Sequence, residues 1–182
     1  MIEARVLPVD PIRSLDDYVA VGGGAALRNA RTNGPDAVLA EIARSGLGGR
    51  GGAGFPAARK WQTVSANRAP ELPSAVVVNA AEGEPGSFKD RAILRANVFA
   101  VIEGALVAAL TIGADEIVVG TKRAFLRETA ILEAAIAEIK GAGWADEIDM
   151  RVHTGPSEYL YGEETGLLEV IDGRYPFPRI AP

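Results

Sequence analysis

From Ala75 onward the chain alternates short β-branched runs with long helical stretches, and few folds accept that rhythm. AVVVNA (75–80) and EIVVG (116–120) are apolar runs of strand length, and a third strand is expected at Ile148 to His153. An unbroken run of Val and Ile, without polar alternation, marks a strand covered on both faces. Between these runs, Arg91 to Leu110 and Leu126 to Lys140 carry helical patterns, and Gly141 with Gly143 makes a natural stop for the second. Strand, helix, strand, helix, strand argues for a parallel or mostly parallel sheet with helices packed on its faces. Ligands of such sheets sit beyond the carboxyl ends of the strands. The glycine-bearing segments AAEGEPGSF and TGPSEYLYG follow the first and third strands, so they lie where binding is expected. A further helix begins near Glu163.

The first part of the chain is less regular. Residues 1–35 read as an irregular leader, with one short helical turn at Asp16 to Ala20 that Ser14 can cap. Gly22, Gly23 and Gly24 interrupt it. Gly34-Pro35-Asp36 opens a helix expected to run through Ala43, with Val38, Leu39 and Ile42 at helical spacing. Residues 36–175 then form the expected binding domain. The tail RYPFPRIAP places three of the 11 prolines in its last seven residues, so 176–182 read as an extended arm.

Composition narrows the chemistry. The 182 residues contain no cysteine, which excludes a disulfide, a thiol nucleophile and a cysteine-ligated iron–sulfur cluster within this sequence. One histidine, His153, cannot alone build a zinc site, and its place at a strand end suits a structural role better than a catalytic one. A net charge of −5 argues against a nucleic-acid surface. The apolar runs are broken short of the roughly 20 residues that span a bilayer, and MIEARVLPVDP lacks the apolar core of a secretory signal. A cytoplasmic location without a transmembrane segment is therefore expected, and the chemistry calls for a borrowed cofactor.

Three constellations can carry it. Gly46 to Pro56 (GLGGRGGAGFP) places six glycines in nine residues, freeing the backbone for close ligand approach. Its amides can form a phosphate nest with Arg50 adding charge, although it is neither a P-loop nor a dinucleotide fingerprint. A flexible surface loop is the plain alternative, against which Phe55-Pro56 weighs. Asn79 to Arg91 (NAAEGEPGSFKDR) follows a buried strand. Asn79 offers donors and an acceptor to a heterocycle edge, and Glu82 and Glu84 suit hydroxyls or an amide. Equally, Ser87 to Asp90 can simply cap the next helix. Tyr159 to Thr165 (YLYGEET) starts a helix with two acids, which the macrodipole favours by itself. Lys60, beside Trp61, reads from context alone as a surface lysine.

In order and separation, GRGGAGFP with K-W, then NAxEGEPGSFKDR, then YxxGEET closely resemble the flavoprotein subunit of respiratory complex I and of related NAD-reducing hydrogenases and formate dehydrogenases. The resemblance runs from about Gly46 to Arg179. It implies FMN contacts at Gly49, Arg50, Gly51, Gly52, Ala53, Gly54, Lys60, Asn79, Glu82, Gly83, Tyr159, Gly162 and Glu163. It implies NADH contacts at Phe55, Glu84 and Glu164, with Phe55 stacking on the adenine. Three positions depart from the pattern: Ala81 replaces an aspartate, Thr63 a second aromatic and Tyr161 a cysteine. Relatives continue with an asparagine-rich strand that contacts FMN, a ubiquitin-like segment and a cluster-bearing helical domain.

The expectation is thus a three-layer α/β sandwich with a mostly parallel sheet, a Rossmann-like variant. It would bind FMN and NADH, need no catalytic side chain and no metal, and pass electrons to iron–sulfur centres of a partner within a larger complex. Hydride transfer between two stacked rings needs positioning and tuned electronics, not a protein acid or base. The rival expectation is a non-catalytic nucleotide-binding or assembly module that has lost flavin. A related expectation, a flavin domain like those of ion-pumping ferredoxin:NAD oxidoreductases, shares the GGAGFP-like loop but is less well served by GEPGSFKDR and YGEET.

Overall fold

A computed structural model describes residues 7–50, 53–69, 71–145 and 148–180. Three strands, β1 (Ala75–Ala80), β2 (Glu116–Lys122) and β3 (Asp149–Gly155), form a parallel sheet in that spatial order. Val78 lies opposite Val119, and Val119 opposite Val152. Parallel neighbours need long crossovers. These are α4 (Lys89–Ile112) and α5 (Leu126–Gly141), both packed on one face of the sheet, as right-handed connections between sequential strands require.

Period-two alternation divides the strands between two unequal cores. Val76, Val78, Ile117, Val119, Met150 and Val152 point into the large one, which α4 and α5 complete with Phe99, Ile102, Leu106, Leu132 and Ile139. Val77 points the other way, into a small cluster of Ala81, Tyr161 and Leu167 beneath α6 (Glu164–Ile171). Helices, sheet and α6 make the expected three layers.

Within the stretch read as an irregular leader, the expected short turn is present as a helix, and a second helix that was not expected to start so early follows it. Ser14 caps α1 (Leu15–Ala20), accepting from the Asp17 amide at 3.1 Å. α2 (Ala25–Ser45) contains the expected helix but begins earlier, with a break at Gly34, where φ is 78°. Its first half is held by Glu103 of α4. This buried carboxylate accepts from Tyr18 Oη at 2.6 Å, Gly24 N at 2.8 Å and Leu27 N at 2.9 Å. Satisfying the orphan amides at the helix start from a distant acid leaves no local signal, so the sequence pattern misses this half. α3 (Ala57–Ala66), directly after the glycine loop, was likewise not anticipated.

α4 is long and apolar enough to cross a bilayer by length and composition. It is the central helix of the large core, which accounts for that character. It breaks at Asn97, whose Oδ1 accepts from Ala100 N at 3.1 Å and restarts the helix. The tail after α6 has no regular structure, but Arg174 and Arg179 both pair with Glu169 and so tie it back.

Candidate functional site at the carboxyl ends of the strands

The loop after β1 and the segment after β3 meet beyond the sheet and enclose a cavity of about 670 Å³. That is within the ~300–1,000 Å³ typical of small-molecule sites. Arg50, Asn79, Glu82, Gly83, Glu84, Ser87, Lys89, Asp90, Tyr159, Leu160, Gly162 and Glu163 line it. Eight residues singled out in the sequence, drawn from all three glycine-bearing segments, converge here.

The two walls touch through backbone, and glycine is what lets them. A Cβ on Gly162 would lie 2.7 Å from the Ala81 carbonyl oxygen, and one on Gly83 2.8 Å from that of Tyr159. Asn79 fastens the same contact: its Nδ2 donates to the Gly162 carbonyl at 2.9 Å and its Oδ1 accepts from Ala81 N at 3.1 Å. One amide hydrogen remains for a ligand. Tyr161 is fully buried behind this wall, its hydroxyl donating to the His153 carbonyl at 3.3 Å. Gly155 makes room for it, since a Cβ there would meet the ring at 2.2 Å.

Glu82 is buried at the cavity floor and both proposed roles meet in it. Oε1 accepts from Ser87 Oγ at 2.5 Å and Lys89 N at 2.8 Å, capping α4 from seven residues away. Oε2 is buried without a hydrogen-bond partner. Burial alone would raise this carboxyl, but the Ser87 hydroxyl, the Asp90 and Lys89 amides and the Lys89 ammonium outweigh it and hold it below the ordinary value. Arg91 stands 3.7 Å from Oε2, its guanidinium stacked 5.0 Å over the Phe125 ring.

Across the cavity, Tyr159 Oη donates to Glu84 at 2.9 Å, and that bond, with the Glu84 charge, raises the phenol. Glu163 caps α6 by accepting from Gly166 N at 2.7 Å and Thr165 Oγ1 at 2.6 Å. Burial opposes its ionisation, yet these bonds keep its carboxyl below the usual value. Lys60 and Glu164 stand outside the cavity lining and pair with each other at 3.0 Å, linking α3 to α6.

The glycine loop is pinched at its base, where Gly49 N donates to the Phe55 carbonyl at 2.8 Å and Ala57 N to that of Leu47 at 2.9 Å. Gly54 takes the left-handed conformation, with φ of 62°. Ala53 is exposed, and Gly51 and Gly52 lie outside the described residues. Phe55 is 48% exposed under Arg59 and is not among the residues lining the cavity.

One residue was missed. Strand β2 runs two residues beyond the expected Gly120, and alternation from Gly120 puts Lys122 on the site's face. Lys122 is buried, its Nζ donating to the Ser157 carbonyl at 3.2 Å and lying 3.4 Å from where a Gly83 Cβ would be. The signal was the strand's own periodicity, cut short by ending the strand too early.

Known proteins resemble this chain in sequence and in overall fold. The family model described as the Nuo51 FMN-binding domain matches residues 42–182. The mitochondrial NADH dehydrogenase [ubiquinone] flavoprotein 1 of Dictyostelium discoideum is 38% identical over 176 residues, covering 92% of this chain and 37% of its own length. A Rhodobacter capsulatus NADH-quinone oxidoreductase subunit is 38% identical over 178 residues, covering 93% and 41%. Among solved structures, an NAD+-reducing [NiFe]-hydrogenase in the air-oxidized state superposes with a TM-score of 0.79 at 32% identity, covering 94% of this chain and 30% of that one. The chain thus spans about two fifths of the curated relatives it matches. On sequence and architecture together, this chain belongs to the Nuo51 FMN-binding domain family.

Proposed function

We propose that the cavity beyond β1 and β3 holds FMN, and that the chain passes a hydride to it from NADH as part of an NADH dehydrogenase. The observation that carries the reading is the convergence of Asn79, Glu82, Gly83, Tyr159, Gly162 and Glu163 on one cavity. These are residues for which the family resemblance implies flavin contacts. The residues suit the group: glycine walls admit a flat ring closely, and the orphaned Oε2 of Glu82 supplies a buried acceptor for a ring or ribityl donor. Arg50 and Lys89 supply cations for its phosphate.

When bound, FMN supplies the hydride acceptor, and NADH leaves as NAD+ after giving up two electrons and one proton. The chain's own part is to bind, orient and exclude water. Glu84, Glu164 and Phe55 are assigned to NADH. Acids facing the adenosine ribose would repel a 2′-phosphate, so NADH should be preferred to NADPH. The binding unit is assigned to residues 36–175, with 176–182 as an arm. Electrons go on to iron–sulfur centres of a partner, and the setting is cytoplasmic, with attachment to the membrane through the complex.

The test is an anaerobic titration. The purified chain is incubated with FMN, freed of excess, and its visible spectrum recorded before and after NADH. Retained flavin that bleaches supports the reading. Retained flavin that NADH cannot bleach would refute the hydride step, and absence of retained flavin would favour a non-catalytic module.

A further inference from the structure

Lys122 is a buried cation at the seam between the two cavity walls. It ends the central strand on the site's face, with 6% of its surface exposed. Its Nζ reaches the Ser157 carbonyl on one wall and lies against Gly83 on the other. Glu82 and the exposed Glu158 are the carboxylates whose charge acts on it, and neither lies within hydrogen-bond distance of Nζ. An ammonium carries three donors, and one protein acceptor is in place. Burial lowers its pKa, the two acids opposing, so its charge is held at a cost. A strap between two loops does not need a buried charge; a neutral side chain or a glycine-rich crossing would do.

Resting on the FMN reading above, we propose that Lys122 is a positioning residue for charge: it makes the pocket hold the reduced flavin more tightly than the oxidised one. A flavin reduced by a hydride would carry one negative charge more than the oxidised ring. A fixed cation behind the Gly83 wall favours that charged state and raises the driving force for accepting the hydride. Gly83 matters to this role because it lines the cavity, and the ammonium packs against it 3.4 Å from where a Cβ would stand. The oxidised ring carries no such charge and gains little.

The experiment compares dissociation constants for oxidised and reduced FMN, measured anaerobically on the whole chain and on Lys122→Met, Lys122→Arg and Glu158→Gln. In Lys122→Met the preference for reduced FMN should fall roughly tenfold, equal to a drop of about 30 mV in the two-electron potential. Lys122→Arg should keep most of the preference. Glu158→Gln, which removes an exposed counter-charge, should raise it by roughly twofold to threefold. Equal weakening of both forms in Lys122→Met would show a loop strap only and overturn the inference, as would no change in either. If Lys122→Met fails to fold, Glu158→Gln decides: an unchanged or reduced preference contradicts the proposal. Failure of the unmutated chain to bind FMN in either state would overturn the functional reading itself, and this inference with it.

Discussion

The two faces of the sheet are built by different rules. On the face covered by α4 and α5, twenty buried residues among those described form one apolar core, and its polar anchor, Glu103, is engaged by three donors. On the other face the fully packed cluster is three residues, Ala81, Tyr161 and Leu167, and the space beyond it is lined by charged and polar groups. There the buried Glu82 and the buried lysine keep unused bonding capacity: Glu82 Oε2 faces Arg91 without a hydrogen bond, and Lys122 donates to one protein acceptor. A satisfied polar group stabilises, whereas one left open binds something else or weakens the fold. The apolar core is concentrated on the first face and the proposed binding site on the second, with the thin sheet between them.

That division can be broken most forcefully at Glu103. Replacing it with alanine leaves buried donors from Tyr18, Gly24 and Leu27 without their acceptor, and about 3–5 kcal/mol of stability should be lost. Urea unfolding would register this, while the folded fraction should still bind FMN with near-normal affinity. A parallel loss of affinity would show that the faces are not separable. The reverse experiment is Gly162→Ala, whose methyl would press on the Ala81 carbonyl. It should weaken FMN binding at least about tenfold for a stability cost of about 1–3 kcal/mol, read by flavin absorbance and thermal melts.

Glu82 sharpens the comparison because it serves both faces, capping α4 while lining the cavity. Its folded carboxyl lies below the ordinary value. Its contribution is therefore complete above the unfolded pKa and is lost as pH falls through the folded one. Melting temperatures taken from neutral to acid pH should decline less steeply in Glu82→Gln than in the unmutated chain. Identical slopes would mean that the cap is not held by the charged form. The smallest effect is expected at the exposed pair Lys60–Glu164. Lys60→Met should change stability by less than about 1 kcal/mol yet weaken FMN binding, as titration would detect; unchanged affinity would remove Lys60 from the site.

The same division explains what could be read from sequence. The sheet and its crossovers were legible because Val-rich runs and glycine stops are local signals: β1 matches its expected bounds, and α5 ends at Gly141. The first half of α2 was not, because its N-terminal amides are satisfied by Glu103, 76 residues away from Leu27. At the site, glycine clusters flanking strands pointed to the cavity, and the resemblance named its residues. Phe55, grouped with them by motif, lies outside the cavity lining. Asn79 and Glu82 looked free to bind a ligand, but much of their bonding capacity braces Gly162, Ala81 and α4. Such sharing depends on how loops cross in space, which spacing along the chain does not encode.

Amide hydrogen exchange with and without FMN distinguishes ligand binding at the carboxyl-end loops from binding on the helical face. Slowed exchange at residues 79–90 and 157–165, with α2 and α5 unchanged, is the expected result. Unchanged loops, or protection confined to the groove between α2 and α4 around Val38 and Val107, would contradict it.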